Sequence, residues 1–85
     1  MSDNIIYEID SNGNRVSVEN WTGSFHEDST ADNLWLRIFD RKQKSVQLTK
    51  GSIIHYSSGE LEFERNYIIE ECHYGIFKVK KFTII

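Results

Sequence analysis

Leu34-Trp35-Leu36-Arg37-Ile38-Phe39-Asp40 is the stretch that decides the fold class. Aliphatic residues occupy every second position, and the alternation has the period of a β-strand with one face on a core. Trp35, Arg37 and Phe39 occupy the opposite face. The stretch therefore predicts a strand that buries its aliphatic side.

Similar patterns occur on the N-terminal side of this strand. Residues 5–10 predict a strand in which Ile5, Tyr7 and Ile9 share a face. Asn12-Gly13 is a favoured hairpin turn pair, so residues 15–19 are expected to return as a second strand with Val16 and Val18 directed inward. Residues 22–33 are rich in small and polar side chains, which predicts a long loop.

The C-terminal side continues the pattern. A charged turn at 41–44 precedes strands predicted at 45–49 and 52–56. Residues 60–72 fit a strand or a short helix near 64–72, because both spacings are present. The last strand is predicted to begin at 76, and its inward phase changes at Lys80-Lys81, which indicates a β-bulge.

Turns at this frequency predict an all-β domain, either a small antiparallel barrel or a sandwich. The segment Val46-Gln47-Leu48-Thr49-Lys50-Gly51-Ser52-Ile53-Ile54 also resembles the Leu-x-x-Lys-Gly-Asp-x-Ile segment of SH3 domains, and it covers nine of the 85 residues. The paired tryptophans, the opening motif and the ligand-groove proline of that family are missing here. The resemblance implies a barrel-like, SH3-like topology, and no ligand-binding residues are carried over.

Length and composition limit the class of protein. The chain has 85 residues, a net charge of −3, one cysteine and no proline, which suits one domain over 1–85. A lone Cys72, no signal-like opening and no long apolar run lead us to expect a cytoplasmic protein outside the membrane. The mild negative charge disfavours a nucleic-acid partner.

The strongest candidate site is the Trp35, Arg37 and Phe39 stripe, because exposed aromatics beside an arginine are typical of binding hot spots. The alternative is a central strand buried on both faces. Two aromatic residues and a histidine of the neighbouring segment, Trp21, Phe25 and His26, complete the predicted partner-binding set.

Other chemistry-bearing residues fit ordinary structural roles. His26, Glu27, Asp28 and Asp32 match no specific metal site, so we expect a solvated loop and no metal. Neighbouring strand residues point to opposite faces, so Cys72 and His73 are not expected to form a nucleophilic pair. We therefore expect no catalytic residues and no cofactor.

Charged segments can be explained by pairing across strands. Basic residues cluster at 41–44 and 78–81, and acidic residues cluster at 60–64 and 70–71. The two basic clusters could attract phosphate if the fold brings them together. A β-sheet, however, favours pairing of the basic clusters with the acidic ones across strands.

The leading hypothesis is a small standalone domain that binds a larger protein through the Trp35, Arg37 and Phe39 stripe and the 22–33 loop. A bacterial or phage inhibitor of a host enzyme would be such a protein. The Ile, Asn and Lys usage suits such an origin. A small-ligand or nucleotide binder using His26, Arg37 and aromatic stacking is one alternative. A structural subunit that assembles through its edge strands is another, and the oligomeric state stays open.

Overall fold

Six antiparallel strands form one sheet that curves into a nearly closed barrel. The structure, a computed structural model, describes residues 5–57 and 65–84. The strands are β1 Ile5–Ile9, β2 Thr22–Phe25, β3 Leu34–Phe39, β4 Ile53–Ser57, β5 Arg65–His73 and β6 Ile76–Lys81. Their order in the sheet is β1-β4-β5-β6-β3-β2. The predicted all-β small barrel is confirmed.

Ile6 and Trp21 join the two ends of the sheet. Each backbone N–H donates to the other residue's carbonyl oxygen, at 2.8 Å from Ile6 and 2.7 Å from Trp21. This single bridge brings β1 next to the start of β2. Edge strands expose unpaired backbone groups, and the bridge satisfies part of both edges.

The core is built from inward residues of all six strands or their flanks. Leu36 and Ile38 are fully buried, as the alternation in β3 predicted. In β1, Ile6 joins the main core cluster, whereas Ile9 is buried outside it. The remaining members of the cluster are Trp21, Ile54, Tyr67, Ile69, Phe77 and Val79.

Asp10 and Asp40 begin two turns with the same hydrogen bonds. Gly13 N–H donates to the Asp10 carbonyl at 3.0 Å, and Gln43 N–H donates to the Asp40 carbonyl at 3.1 Å. Each aspartate side chain accepts two further backbone N–H bonds from the residues two and four positions on. Both third loop residues have positive φ, 90° at Gly13 and 66° at Gln43. These are three-residue hairpin loops of the type I plus bulge class.

Two of the predicted returning strands are absent. After each turn the described chain makes a single bridge, Ile9 to Arg15 and Phe39 to Ser45, and residues 45–49 form no strand. The inward prediction for Val16 and Val18 was wrong, because their exposed fractions are 52% and 96%. Val16 and Val18 lie on the surface, whereas Val46 and Leu48 of the second segment are half-buried and pack against the core cluster without forming a strand.

The predicted loop at 22–33 begins as a strand. β2 covers Thr22–Phe25, and only 26–33 is irregular. A Cβ on Gly23 would lie 2.2 Å from the Arg37 carbonyl oxygen and 2.7 Å from Ile6 Cδ1. Gly23 thus permits the close approach of β2 to β3 rather than marking a loop.

The β-bulge lies in β5 rather than at Lys80-Lys81. The β5–β6 register shifts between Ile69 and Glu71, while β6 pairs without interruption to Lys81. The alternative helix near 64–72 was wrong for its described part, since Arg65–His73 is one strand. Residues 58–64 lie outside the described residues. In the described ranges no helix is long and apolar enough to cross a membrane.

Candidate functional site

The outer face of β3 carries the predicted stripe. Because Leu36 and Ile38 point into the barrel, Trp35, Arg37 and Phe39 point outward. Arg37 is exposed, while Trp35 and Phe39 are half-buried. The stripe is therefore partly covered by its neighbours on the outer surface and is not enclosed in the core.

Cross-strand pairing places polar and apolar neighbours on both sides of β3. On β6, Lys78 is opposite Trp35 and Ile76 is opposite Arg37. On β2, Ser24 is opposite Arg37. Side chains that are paired across antiparallel strands share a face, so these residues flank the stripe directly.

The bulge in β5 adds Glu71 and His73 to this surface. After the register shift, Glu71 pairs with Lys78, and His73 pairs with Ile76. Without the shift, Cys72 would take this face and its two neighbours would turn away, because side chains alternate along a strand. A bulge thus sets which chemistry the outer face presents.

The Glu71 carboxylate joins the two basic neighbours. Its Oε1 lies 2.9 Å from His73 Nε2, and its Oε2 lies 3.5 Å from Lys78 Nζ. The His73 hydrogen bond is the main cause that holds the pKa of Glu71 below its ordinary value of 4.5, and the charge of Lys78 adds to it. The bridge to Lys78 confirms the predicted cross-strand pairing of opposite charges at this position.

Trp35 contacts His73 edge-to-face across the intervening strand. The ring centroids are 5.5 Å apart with an interplanar angle of 62°. The Trp35 ring is therefore held by a side chain that is itself hydrogen-bonded. We name this surface the Trp35 face, and it consists of Trp35, Arg37, Phe39, Glu71, His73, Ile76 and Lys78.

The other predicted partner-binding residues lie elsewhere. Trp21 is 9% exposed and belongs to the core cluster. Phe25 is half-buried inside one end of the barrel, with its ring centroid 5.5 Å from that of Tyr56 and 5.6 Å from that of Tyr67. Neither ring shares the outer surface of Trp35.

His26 begins the irregular segment at the end of β2. Its backbone N–H donates to the Trp35 carbonyl at 2.7 Å, so it stays next to β3. Its Nδ1 accepts the Asp28 N–H at 3.1 Å. Asp28 Oδ2 lies 3.5 Å from the same ring nitrogen, so His26 is held within its own turn.

Sequence reasoning missed Glu71, His73, Lys78 and Ile76 as members of this surface. The available signal was weak, since the first three occurred only as charged or polar residues in separate segments. His73 is adjacent to Cys72, and the predicted separation of this pair is confirmed. Cys72 Sγ donates to the Leu48 carbonyl at 3.2 Å, away from the His73–Glu71 bond.

Metal-binding residue types are dispersed. Among residues 5–57 and 65–84, no group of three or more His, Cys, Asp or Glu side chains is placed to hold a metal ion.

No family model, no curated protein and no solved structure matches this chain.

Proposed function

We propose that this chain is a protein-interaction domain that binds a larger protein through the Trp35 face. The observation that carries the proposal is the Trp35–His73–Glu71–Lys78 network beside an exposed Arg37. Tryptophan and arginine are the residues most enriched in binding hot spots. Their surroundings here combine apolar area with polar groups, as contact surfaces between proteins do.

The exposed guanidinium of Arg37 also supports this proposal. Lys78 is neutralised by Glu71, whereas Arg37 has no ion-pair partner in the part of the chain that the structure describes. A guanidinium can bind a carboxylate through two parallel hydrogen bonds. The matching partner surface would present a carboxylate beside an apolar cleft that receives the edge of Trp35.

The fixed position of the Trp35 ring also supports the proposed interaction. Trp35 is fixed by the His73 ring, and His73 is fixed by Glu71. A side chain that is ordered before binding loses less conformational entropy when a partner arrives. A narrower form of the proposal is that the partner is an enzyme and that binding inhibits it in the cytoplasm.

The test is a pull-down from a host lysate with matched charge variants. Arg37→Glu reverses a charge on the Trp35 face, and Lys44→Glu reverses an exposed charge in the 40–44 turn. We expect one stoichiometric protein to be retained by the native chain and by Lys44→Glu and to be lost from Arg37→Glu. Arg37→Lys should not restore binding if the contact is bidentate. If the partner is an enzyme, its activity should fall as the native chain is titrated in.

Three results would contradict the proposal. Equal retention by both charge variants would place the contact on another surface. A co-purified nucleotide without a protein would indicate a small-ligand binder. Growth in particle size with concentration, and no other protein, would indicate assembly through edge strands.

A further inference from the structure

The β5–β6 hairpin ends in a strained turn whose first residue is a tyrosine. His73 pairs with Ile76, so the turn consists of Tyr74 and Gly75. Both residues have positive φ, 44° and 86°, which is the geometry of a type I′ turn and favours Asn-Gly. A bulky side chain rarely adopts a positive φ. Residues held in such conformations cluster at sites that contact other molecules.

Tyr74 projects from the surface of the fold. Its exposed fraction is 109%, above the 96% of Val18, the next most exposed large apolar residue. In the part of the chain that the structure describes, its ring contacts no other aromatic ring and its hydroxyl makes no hydrogen bond. Neither the turn nor the core of this chain therefore gains stability from a tyrosine at this position.

An apolar groove lies directly beside this tyrosine, at the C-terminal end of β5. Tyr74 forms part of its lining, and its volume is about 460 Å³. The lining shares only His73 with the Trp35 face. Cavities of about 300–1,000 Å³ bury most of a drug-sized ligand. The groove therefore has room for an aromatic side chain.

Two segments form the walls of the groove, and they are joined at both ends. One wall is the segment 45–48, and the other is the β5–β6 hairpin. Cys72 Sγ donates to the Leu48 carbonyl at 3.2 Å. At the other end a Cβ on Gly75 would lie 2.5 Å from Ser45 Oγ, so the turn closely approaches the segment. The groove is therefore formed before another molecule enters it.

The lining of the groove is apolar and carries no fixed charge. Val46 and Leu48 are half-buried, and Phe77 is buried. None of the residues that line it, all of them in the described part of the chain, is Asp, Glu, Lys or Arg. In a two-fold contact between identical surfaces, charges near the axis meet their own copies, and like charges repel. An uncharged groove therefore suits a contact between two copies of this chain.

We propose that two copies of this chain form a dimer in which each Tyr74 enters the groove of the other copy. A two-fold contact is self-complementary, so a projecting side chain and the cavity that receives it must lie on the same surface. Tyr74 and the groove meet this requirement because they are adjacent. Each ring contacts Val46 and Leu48 of the other copy, and its hydroxyl bonds to the exposed Gln47 amide at the rim, since a buried phenol needs a polar partner.

This dimer differs from the other interactions considered for the chain. The contact closes at two copies, whereas assembly through edge strands continues. It is also independent of the function proposed for the Trp35 face, because Trp35, Arg37 and Phe39 do not line the groove.

The test is sedimentation equilibrium between about 10 μM and about 1 mM, the range in which weak contacts between proteins associate. We expect the mass of the native chain to rise from one copy to two and no further. Tyr74→Asn should weaken the dimer about thirtyfold or more, as expected for the loss of a hot-spot residue. Because Asn-Gly favours this turn, the variant should melt no lower than the native chain. Val18→Asn, which removes an exposed apolar residue outside the groove, should leave the dimer unchanged.

A matched pair of charge variants tests the groove itself. Gln47 and Gln43 are both exposed, but only Gln47 lines the groove. Gln47→Glu should weaken the dimer about tenfold, because it places like charges on both copies at the contact. Gln43→Glu should have no effect. The two variants have the same net charge, so general repulsion between the chains cannot explain a difference.

Several outcomes would overturn the proposal. A native chain that stays monomeric at about 1 mM would show that a second copy does not occupy the groove. A dimer that Tyr74→Asn leaves intact, or that Val18→Asn disrupts equally, would place the contact elsewhere. A mass that rises beyond two copies would identify open-ended assembly instead.

Discussion

Trp35 and His73 touch although their strands are not neighbours in the sheet. Trp35 lies on β3 and His73 on β5, with β6 between them, yet their ring centroids are 5.5 Å apart. The contact runs diagonally over the Ile76 and Lys78 positions of β6. Aromatic pairs with such edge-to-face geometry contribute about 0.5–1.5 kcal/mol beyond simple burial. The contact ties three strands together on the outside of the barrel.

Truncation of Trp35 should cost an intermediate amount of stability. A fully buried aromatic replaced by alanine costs about 3–5 kcal/mol, and Phe77→Ala in the core should reach that range. Because Trp35 and Phe39 are half-buried, we expect about 2 kcal/mol for each alanine variant. The free energy of unfolding of each variant is measured by urea denaturation. A cost for Trp35→Ala equal to that for Phe77→Ala would show that the ring is a core residue and would weaken the proposed interface.

The titration of Glu71 should depend more on His73 than on Lys78. The pKa of Glu71 lies below 4.5 chiefly because the His73 side chain bonds its carboxylate. We expect His73→Ala to raise this pKa toward 4.5 more than Lys78→Ala does, as followed by the Glu71 carboxyl resonance. Because the pKa of Glu71 is lower in the folded chain than in the unfolded chain, the ionised carboxylate stabilises the fold above pH 4.5. This stabilisation is lost as the pH falls through the pKa of the folded state. A larger effect of Lys78→Ala would contradict this order.

Gly13 should be less tolerant of alanine than Gly51. Both have positive φ, 90° and 95°, but a Cβ at Gly51 meets nothing within 4 Å, whereas one at Gly13 meets Ile84 Cδ1 at 2.8 Å. The backbone penalty is about 1–2 kcal/mol for each. We therefore expect Gly13→Ala to lower the free energy of unfolding more than Gly51→Ala in denaturant melts. Equal costs would indicate that Ile84 yields freely.

Gln43 should gain from replacement by glycine. It has the φ of 66° that Gly13 supplies in the equivalent turn, and glycine adopts such values without a Cβ clash. We expect Gln43→Gly to raise stability by about 0.5–1 kcal/mol after the entropy cost of glycine in the unfolded chain. Lys42→Gly is the control, because the φ of Lys42 is not positive, and it should destabilise. A destabilised Gln43→Gly would be inconsistent with the turn assignment.

Gly23→Ala should separate β2 from β3. The added Cβ would meet the Arg37 carbonyl oxygen, a backbone atom that cannot rotate away, as well as Ile6 at the junction of the sheet ends. We expect the free energy of unfolding to fall by about 3 kcal/mol, which is the upper end of the range for overpacked cores. Ser24→Ala, which changes an exposed outward residue, should be nearly neutral. Similar melting of the two variants would argue against the tight β2–β3 approach.

Much of the fold was predictable because the apolar residues that alternate along a strand are also the residues that the barrel buries. β3 and β6 follow from alternation, whereas the strand predicted at 52–56 buries both Ile53 and Ile54. Gly13 in the Asn12-Gly13 turn has the predicted positive φ. The strand at Thr22–Phe25 was not predictable, because Gly23 and Ser24 are loop-forming residues by composition. Their strand conformation depends on a neighbouring backbone that the local sequence does not specify.

The candidate site was only half predictable for the same reason. The period of two in β3 determined by itself that Trp35, Arg37 and Phe39 lie opposite the buried aliphatic residues. Only the tertiary structure decided what surrounds them. A bulge between Ile69 and Glu71 changed which side chains of β5 face outward and placed Glu71 and His73 beside Lys78 and Trp35. Alternation encodes the face of a side chain within one strand, but bulge position and strand order arise from pairing between distant segments.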